Sequence, residues 1–302
     1  MPGTYFGPMG ENNSTYANAG NANLGRFALG HTLILPDGRE YKFTLNDGTV
    51  EIAGNLYQSV AAVADHNNTT ADVVRAIGAT AISSTLGATA AAVDIYAEGV
   101  VHIADVDGEG YSYRIRRAMT AGNAHAAAAT SSVLTVNLEA GESVQVALTT
   151  ASNISYTRNR YHRATISPGP PTAALTGVSP GVAALDRFYW SQVKGYAAVL
   201  SDATLLAGLP VQASIGASGS VEMVKRRLQV VSTGSVLTAS TQYAANLVDQ
   251  DGTTVGVAVV TSVSTVTVVD ATGGIANNAP PIGICVKTQA STEFALVDLN
   301  IT

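Results

Sequence analysis

The sequence is poor in the residues from which most enzymes and metalloproteins build their sites. A single cysteine, Cys285, excludes an intramolecular disulfide and a multi-cysteine zinc site, and its apolar neighbours at residues 282–286 predict a buried, inert thiol. No Walker loop, GxSxG, HExxH or paired-cysteine motif occurs, so we expect no enzyme and no cofactor. The histidines lack ligand spacing and are predicted as surface or strand-end residues: His31, His66, His102, His125 and His162.

Charge is also scarce. Only 13% of the 302 residues are charged, against a usual share of about 25%, and the net charge is −6. Nucleic-acid binding needs clustered lysine and arginine, and the basic groups at residues 114–117, 158–163 and 225–227 are interpreted as solvated strand ends. No apolar run reaches membrane-spanning length, and the first twenty residues lack the segments of a signal peptide. We expect a chain made in a cytoplasm that binds neither nucleic acid nor membrane.

Small side chains and short alternating segments make up much of the rest. Hydrophobic residues reach 46%, which is too apolar for a disordered chain. Residues 32–35 and 40–45 are predicted as paired strands, because apolar and polar residues alternate in the second and Asp37-Gly38 suits a tight hairpin turn. Residues 100–104 and 111–116 form the clearest hairpin, with Tyr111, Tyr113 and Ile115 expected on one face.

Many short strands with frequent turns predict an all-β fold of β-sandwich or barrel domains, with at most short helices. Residues 70–77 are predicted as a short helix capped by Thr69 or Thr70. Residues 56–65 stay open between a helical stripe and a loop. Further strands are expected at residues 80–86, 93–96, 133–138, 144–148, 154–157, 228–231, 255–260, 263–269, 282–287 and 294–301.

Proline-rich segments divide the chain. SPGPP at residues 167–171 and SPG at residues 179–181 remove hydrogen-bond donors, so we expect no sheet to run through residues 167–185. This predicts a first β-domain at residues 30–166, a Pro/Gly-rich linker at 167–185 and a C-terminal β-domain at 186–302. Residues 1–29 have the composition of an extended N-terminal arm that orders on a partner. Its expected anchors are Tyr5, Phe6, Tyr16 and Phe27.

The densest aromatic cluster opens residues 187–224. Phe188, Tyr189 and Trp190, the only tryptophan, are predicted as the core anchor of the C-terminal domain, with an exposed ligand platform as the alternative. A strand, Gly195 and a second strand are expected to follow. GASGS at residues 216–220 lacks the final glycine of a nucleophile elbow, so a hairpin turn is the better interpretation.

One loop carries the alternating oxygen donors of a calcium site. Asp105, Asp107 and Glu109, with Gly108 among them, match the first half of an EF-hand loop. The second half fails, because the twelfth position is Arg116 where a bidentate acid is required. A turn within the best hairpin is therefore the better interpretation, and the loop is only a weak metal candidate.

Four segments together resemble a known class of protein. They are RFYWSQVKGYAAVLSDATLLAGLPVQAS at residues 187–214, LPDGREYKFTLNDGTVEIAGNLYQS at 35–59, AIGATAISSTLGATAAAVDIYAEGVVHIADVDGEGYSYRIRR at 76–117 and PPIGICVKTQASTEFALVDLNIT at 280–302. These segments resemble tailed-bacteriophage virion structural proteins, most like head decoration (capsid cement) proteins. The resemblance implies a non-enzymatic protein, made in the host cytoplasm, that binds the major capsid protein on the outer surface of the capsid. It also implies a homo-oligomer, with a trimer at local three-fold positions as the hypothesis.

Low charge density and an embracing arm suit such a protein, because many weak contacts become strong through avidity. The alternatives are another virion component (a major capsid, tail or receptor-binding protein) or a non-viral carbohydrate-binding β-protein. A major capsid protein of the usual phage type needs a long spine helix, and a fibre needs coiled-coil or collagen-like repeats; the sequence contains neither. A secreted carbohydrate-binding protein would favour exposed aromatic platforms and a secretion signal.

Overall fold

A computed structural model describes residues 27–118, 122–224 and 281–301, together with five further strands placed by their backbone. The fold is all-β, as predicted: in the described residues no helix reaches seven residues, and one 3-10 turn spans Ala64–His66. The strands are β1 (Tyr5–Phe6), β2 (Tyr16–Ala17), β3 (Thr32–Ile34), β4 (Glu40–Leu45), β5 (Leu56–Gln58), β6 (Thr69–Thr70), β7 (Ala81–Thr85), β8 (Val100–Asp105), β9 (Ser112–Arg114), β10 (Val133–Asn137), β11 (Asn153–Thr157), β12 (Thr165–Ile166), β13 (Leu175–Val178), β14 (Arg187–Leu200), β15 (Pro210–Ala213), β16 (Val221–Met223), β17 (Ala244–Val248), β18 (Thr254–Ser262), β19 (Thr265–Thr267), β20 (Pro281–Lys287) and β21 (Phe294–Asn300).

One large sheet has β14 at its centre. The strand order is β1-β3-β4-β14-β21-β20-β15-β16, and β2, β5, β12 and β13 attach beside this path. The first half of β14 pairs with β4 and the second half with β21, both antiparallel. The predicted break at Gly195 is therefore wrong. The strand is continuous because Gly195 adopts a φ of +82°, close to the register shift at which β14 changes partners.

Strand pairing crosses the predicted linker. β4 precedes the proline-rich segment and β14 follows it, yet the two are neighbours, and β5 pairs with both β12 and β13. The expectation that no sheet runs through residues 167–185 is wrong, because β13 lies inside that range. Pro168, Pro170 and Pro171 sit between β12 and β13, outside the ladders, which is where a sheet tolerates proline. The division into domains at this point stays a prediction.

Residues 69–157 build a second group of sheets. β6, β11, β8 and β9 form one sheet in that order, and β7 pairs with β10 in another. The two enclose a core of their own, in which Ile82, Leu134 and Ile154 are fully buried. The predicted β8–β9 hairpin is confirmed, since Val101 pairs with Tyr113. Of the three residues predicted to share one face, Tyr113 and Ile115 are buried, whereas Tyr111 is 43% exposed.

The helix predicted at residues 70–77 is wrong. The segment is irregular instead, with bends at residues 72–73 and a turn from residue 77, and isolated bridges join Ala71 to Ser84 and Arg75 to Leu148. A surface helix is stabilised by burying an apolar face, and here the apolar side chains of Val74 and Ile77 are both exposed.

Three other local predictions are corrected or resolved by the structure. Residues 93–96 form turns rather than a strand, and residues 144–148 contribute a single bridge. Residues 56–65 resolve into β5 and the 3-10 turn. In each case the sequence pattern was short, and contacts with distant strands decided the backbone conformation.

The C-terminal region follows the sequence pattern closely. Residues 216–220 form the predicted turn of the antiparallel β15–β16 hairpin, and β20 and β21 lie within one residue of their predicted ends. Cys285 is a free thiol only 1% exposed, as expected. Strands β17, β18 and β19 form a separate antiparallel sheet, and the strand predicted at residues 228–231 lies outside the described residues.

Candidate binding faces

The predicted aromatic anchor is divided between two sides of β14. Phe188 and Trp190 are buried and pack with Phe43, with ring centroids 5.1 Å apart in each pair. Tyr189 alternates to the opposite side, where it meets Tyr57 at 6.4 Å. All three members of the anchor are at most 3% exposed, so their rings are parts of the core.

The residues predicted as arm anchors lie along this chain's own sheet. Tyr5 and Phe6 form β1, which runs parallel to β3, and Tyr16 belongs to β2, which is antiparallel to β14. Phe27 is half-buried and lies 5.5 Å from the ring of Trp190. Their role in holding a partner stays a prediction.

The loop with alternating acids is organised by contacts within the chain. The Asp105 carboxylate accepts the backbone N–H of Val106 at 2.8 Å, and Asp107 accepts the hydroxyl of Thr149 at 2.8 Å. Glu109 is exposed and lies at the turn. Across the residues that the structure describes, no group of three or more His, Cys, Asp or Glu side chains is placed to hold a metal ion.

Three of the five histidines are buried, contrary to the prediction. His66, His125 and His162 are each at most 1% exposed. His66 donates from Nε2 to the carbonyl of Thr89 at 2.8 Å, and its Nδ1 is hydrogen-bonded to the hydroxyl of Tyr96. Burial lowers the pKa of His162 to about 3. Histidine is common both inside and outside proteins, so its position along the chain alone could not assign these three to the core.

An exposed apolar patch surrounds an isolated β-bridge between Glu51 and Ala183. The two bridged residues are buried, at 1% and 0% exposure, and are joined by a backbone hydrogen bond of 2.8 Å. Apolar residues next to them in the chain, and Leu185 two residues after Ala183, are exposed to solvent. We call these neighbours the bridge patch; they are Val50 (54% exposed), Ile52 (54%), Val182 (62%) and Leu185 (55%).

Asn46 joins the two segments that carry the bridge patch, residues 49–52 and 182–185. Its buried amide donates to the carbonyl of Thr49 at 3.0 Å and to that of Ala184 at 2.5 Å. Its side-chain oxygen accepts the backbone N–H of Arg187 at 3.0 Å. One side chain therefore satisfies backbone groups from both segments, which keeps the patch in a defined shape.

The bridge patch has the reverse of the usual amphipathic pattern. Glu51 points into the protein, where neither carboxylate oxygen makes a hydrogen bond of regular geometry within the described part of the chain. Burial raises the pKa of Glu51 well above its ordinary value, and the nearby hydroxyls of Tyr189 and Ser179 offset this only in part. Sequence periodicity could not have found this inversion, because it shows that side chains alternate but not which side is buried.

A groove lies on the outer face of the large sheet, where β14, β21, β20 and β15 meet the β3–β4 turn. Its volume is about 870 Å³ and we call it the Tyr196 groove. The residues that line it are Asp37, Gly38, Arg39, Lys194, Gly195, Tyr196, Pro210, Pro281, Gly283, Ile284, Asp298, Leu299 and Asn300.

The cations of the Tyr196 groove are already paired. Arg39 contacts Asp37 at 2.6 Å, and Lys194 contacts Glu40 at 2.9 Å. Hydrogen bonds from the backbone N–H and then the guanidinium of Arg39 hold the pKa of Asp37 below its ordinary value. The groove therefore has no strong electrostatic field of one sign.

A buried acid links the two groups of sheets. Glu98 accepts the backbone N–H of Leu29 at 2.6 Å and lies 3.0 Å from the guanidinium of Arg117. Leu29 belongs to the aromatic core of the large sheet, whereas Glu98 is the last residue of the turns at residues 93–98 that precede β8. Burial raises the pKa of Glu98 to about 7, even though Arg117 acts to lower it.

Comparison with known proteins adds no relative. A scan against protein-family models finds no match, and searches of curated proteins and of solved structures return none either. Within the described residues, no helix has both the length and the apolar character needed to cross a membrane.

Proposed function

We propose that this chain is a structural virion protein, a capsid decoration (cement) protein that binds the major capsid protein on the outer surface of the phage head. The observation that carries this proposal is the bridge patch, in which apolar side chains face solvent and the acid Glu51 faces the core. A protein that worked without a partner would be more stable with the opposite arrangement. The sequence resemblance to head proteins and the charged share of only 13% support the same function.

The expected contact energy fits a protein that is present in many copies. A side chain that is half exposed gains about 1 kcal/mol when it is covered, so the four side chains of the bridge patch offer about 4 kcal/mol before the costs of association. Such a contact is weak for one copy. A homo-oligomer, for which we propose a trimer, binds several lattice sites at once and converts weak contacts into lasting attachment.

A different virion component, such as a tail or receptor-binding protein, is the second candidate. Nothing in the described residues favours a major capsid protein with a spine helix, because no helix there reaches seven residues. Copy number separates decoration from a tail role. Quantitative mass spectrometry of purified particles should find this chain in numbers comparable to the capsid lattice sites, and a few copies per particle would contradict decoration.

Binding to heads stripped of this protein tests the bridge patch. Ile52→Asp and Leu185→Asp should each weaken binding at least about tenfold, the factor that corresponds to about 1.4 kcal/mol. Val74→Asp is the matched control, since Val74 is an aliphatic residue 58% exposed in the other group of sheets. If both patch variants coat stripped heads as the natural chain does, the bridge patch is not the contact.

Two further measurements address the arm and the oligomer. Deleting residues 1–26 keeps Phe27 in the aromatic core and should weaken attachment to heads, whereas unchanged affinity would contradict an anchoring arm. Sedimentation of the free protein should reveal an oligomer. A strict monomer, both free and on the head, would refute the trimer.

A further inference from the structure

The Tyr196 groove presents an aromatic ring with polar neighbours. Tyr196 is 58% exposed, although aromatic residues in the adjacent cores are buried. Asp298 lies directly opposite Tyr196 on β21, and Ile284 lies opposite Asp298 on β20. Directly opposed residues have Cβ atoms about 5 Å apart on one face of the sheet. A molecule lying on the tyrosine ring would therefore reach the carboxylate of Asp298.

Two polar side chains in the groove have unused hydrogen-bonding capacity. Within the described residues, the Asp298 carboxylate and the Asn300 amide make no side-chain hydrogen bond. Asn300 pairs with Lys194, two residues along the strands from the Tyr196–Asp298 pair, which places it about 7 Å away on the same face. Together they supply two carboxylate acceptors, one amide acceptor and two amide donors.

The charges of the groove argue against an ionic ligand. Arg39 and Lys194 are balanced by Asp37 and Glu40, and Asp298 adds one negative charge. A phosphate, sulfate or carboxylate would meet no unpaired cation here. A cation would meet a single exposed carboxylate, which is too few ligands for a metal site.

We propose that the Tyr196 groove binds a neutral saccharide, with one sugar ring stacked on Tyr196 and its hydroxyls bonded to Asp298 and Asn300. A pyranose has the required chemistry, because it carries an apolar C–H face and a rim of hydroxyls that donate and accept. The groove volume of about 870 Å³ holds a short oligosaccharide. The groove lining and the bridge patch share no residue, so separate variants test sugar binding and attachment to a head.

Local backbone structure keeps the groove open. Gly195 precedes Tyr196 with a φ of +82°, and a Cβ there would lie 2.8 Å from Cγ of Arg39. Arg39 can therefore lie close along the strand, where it donates to Asp37 and Tyr41. The ion pair forms one wall of the groove beside the tyrosine.

Saturation-transfer NMR on the full chain tests the proposal. The probes are the methyl glycosides of glucose, galactose, mannose and N-acetylglucosamine and their β-linked or α-linked disaccharides, at roughly 10 mM, above the millimolar affinity expected of one stacked ring. At least one probe should bind. Tyr196→Ala should weaken that binding at least about tenfold, Tyr196→Phe should retain most of it, and Asp298→Asn should weaken it while the fold is unchanged.

Tyr111→Ala is the matched control, because Tyr111 is 43% exposed and lies just before β9, outside the groove. This variant should bind sugar normally. The proposal is overturned if no probe gives a signal, or if Tyr196→Ala binds as well as the Tyr111 control. Binding of the Tyr196→Ala protein to stripped heads should stay normal, so loss of sugar binding and loss of head binding are read separately.

Discussion

Glu98 should make the folded protein less stable as the pH rises through neutrality. Its carboxyl group is 5% exposed, accepts the N–H of Leu29 and faces the cation of Arg117. The other charged groups that act on it are Arg114 and Glu139. Replacing Glu98 by glutamine keeps an oxygen acceptor for Leu29 and removes the titration.

The magnitude follows from the pKa. Burial raises the pKa of Glu98 from an ordinary 4.5 to about 7, and each pKa unit corresponds to about 1.4 kcal/mol. Because the folded-state pKa is the higher one, the stabilising contribution is complete below pH 4.5 and is lost as the pH rises through about 7. Glu98→Gln should therefore be more stable than the natural chain by only about 1 kcal/mol at pH 5 and by about 3 kcal/mol at pH 8.

Urea unfolding at pH 5, 6, 7 and 8 measures this difference. The single tryptophan, Trp190, is 3% exposed, so its fluorescence reports on the core that Leu29 joins. Glu109→Gln, at an exposed acid, is the control and should show no pH-dependent gain. If the ion pair with Arg117 outweighs burial, Glu98→Gln will be the less stable protein at pH 8, and the reasoning is refuted.

Three further predictions concern single positions. Asn46→Ala should lower the free energy of unfolding by about 3 kcal/mol, because three side-chain hydrogen bonds are lost. A loss below about 1 kcal/mol in urea unfolding would contradict the role of Asn46 in joining the two segments of the bridge patch. Gly195→Ala should cost about 1–2 kcal/mol for its φ of +82° and should displace Arg39; a crystal structure with Arg39 unmoved would disprove the contact. Cys285, 1% exposed, should react with a thiol reagent only on unfolding, and rapid labelling of the native protein would contradict its burial.

Local patterns predicted the elements that depend on neighbouring residues. The alternation of Tyr41 and Phe43 with polar residues identified β4, because side chains of a strand alternate between faces and one face must be buried. Asp37-Gly38 located the first hairpin, where Gly38 adopts a φ of +85°. The GASGS turn was recognised for the same reason, since turn chemistry acts over a few residues.

The candidate faces depend on long-range pairing, which periodicity does not encode. The exposed aromatic of the Tyr196 groove was not singled out, because Tyr196 lies in an alternating strand whose outer side could equally have been covered by another sheet. Its neighbour Asp298 is 102 residues away in sequence and becomes adjacent only through the pairing of β14 with β21. The signal that could have found it is the alternation of Tyr196 with Ala197, one on each face.

Composition and short-range patterning were thus sufficient for the all-β class, the hairpin turns and the buried thiol of Cys285, because these properties depend on solvent transfer and on backbone preferences of adjacent residues. Tertiary packing assigned β14 to the centre of one large sheet and brought strands from both sides of the proline-rich segment together. It also turned Glu51 inward and Ile52 outward. Which of these two side chains is buried depends on Ala183, 132 residues further along the chain, because its bridge with Glu51 sets which side of the segment meets the core.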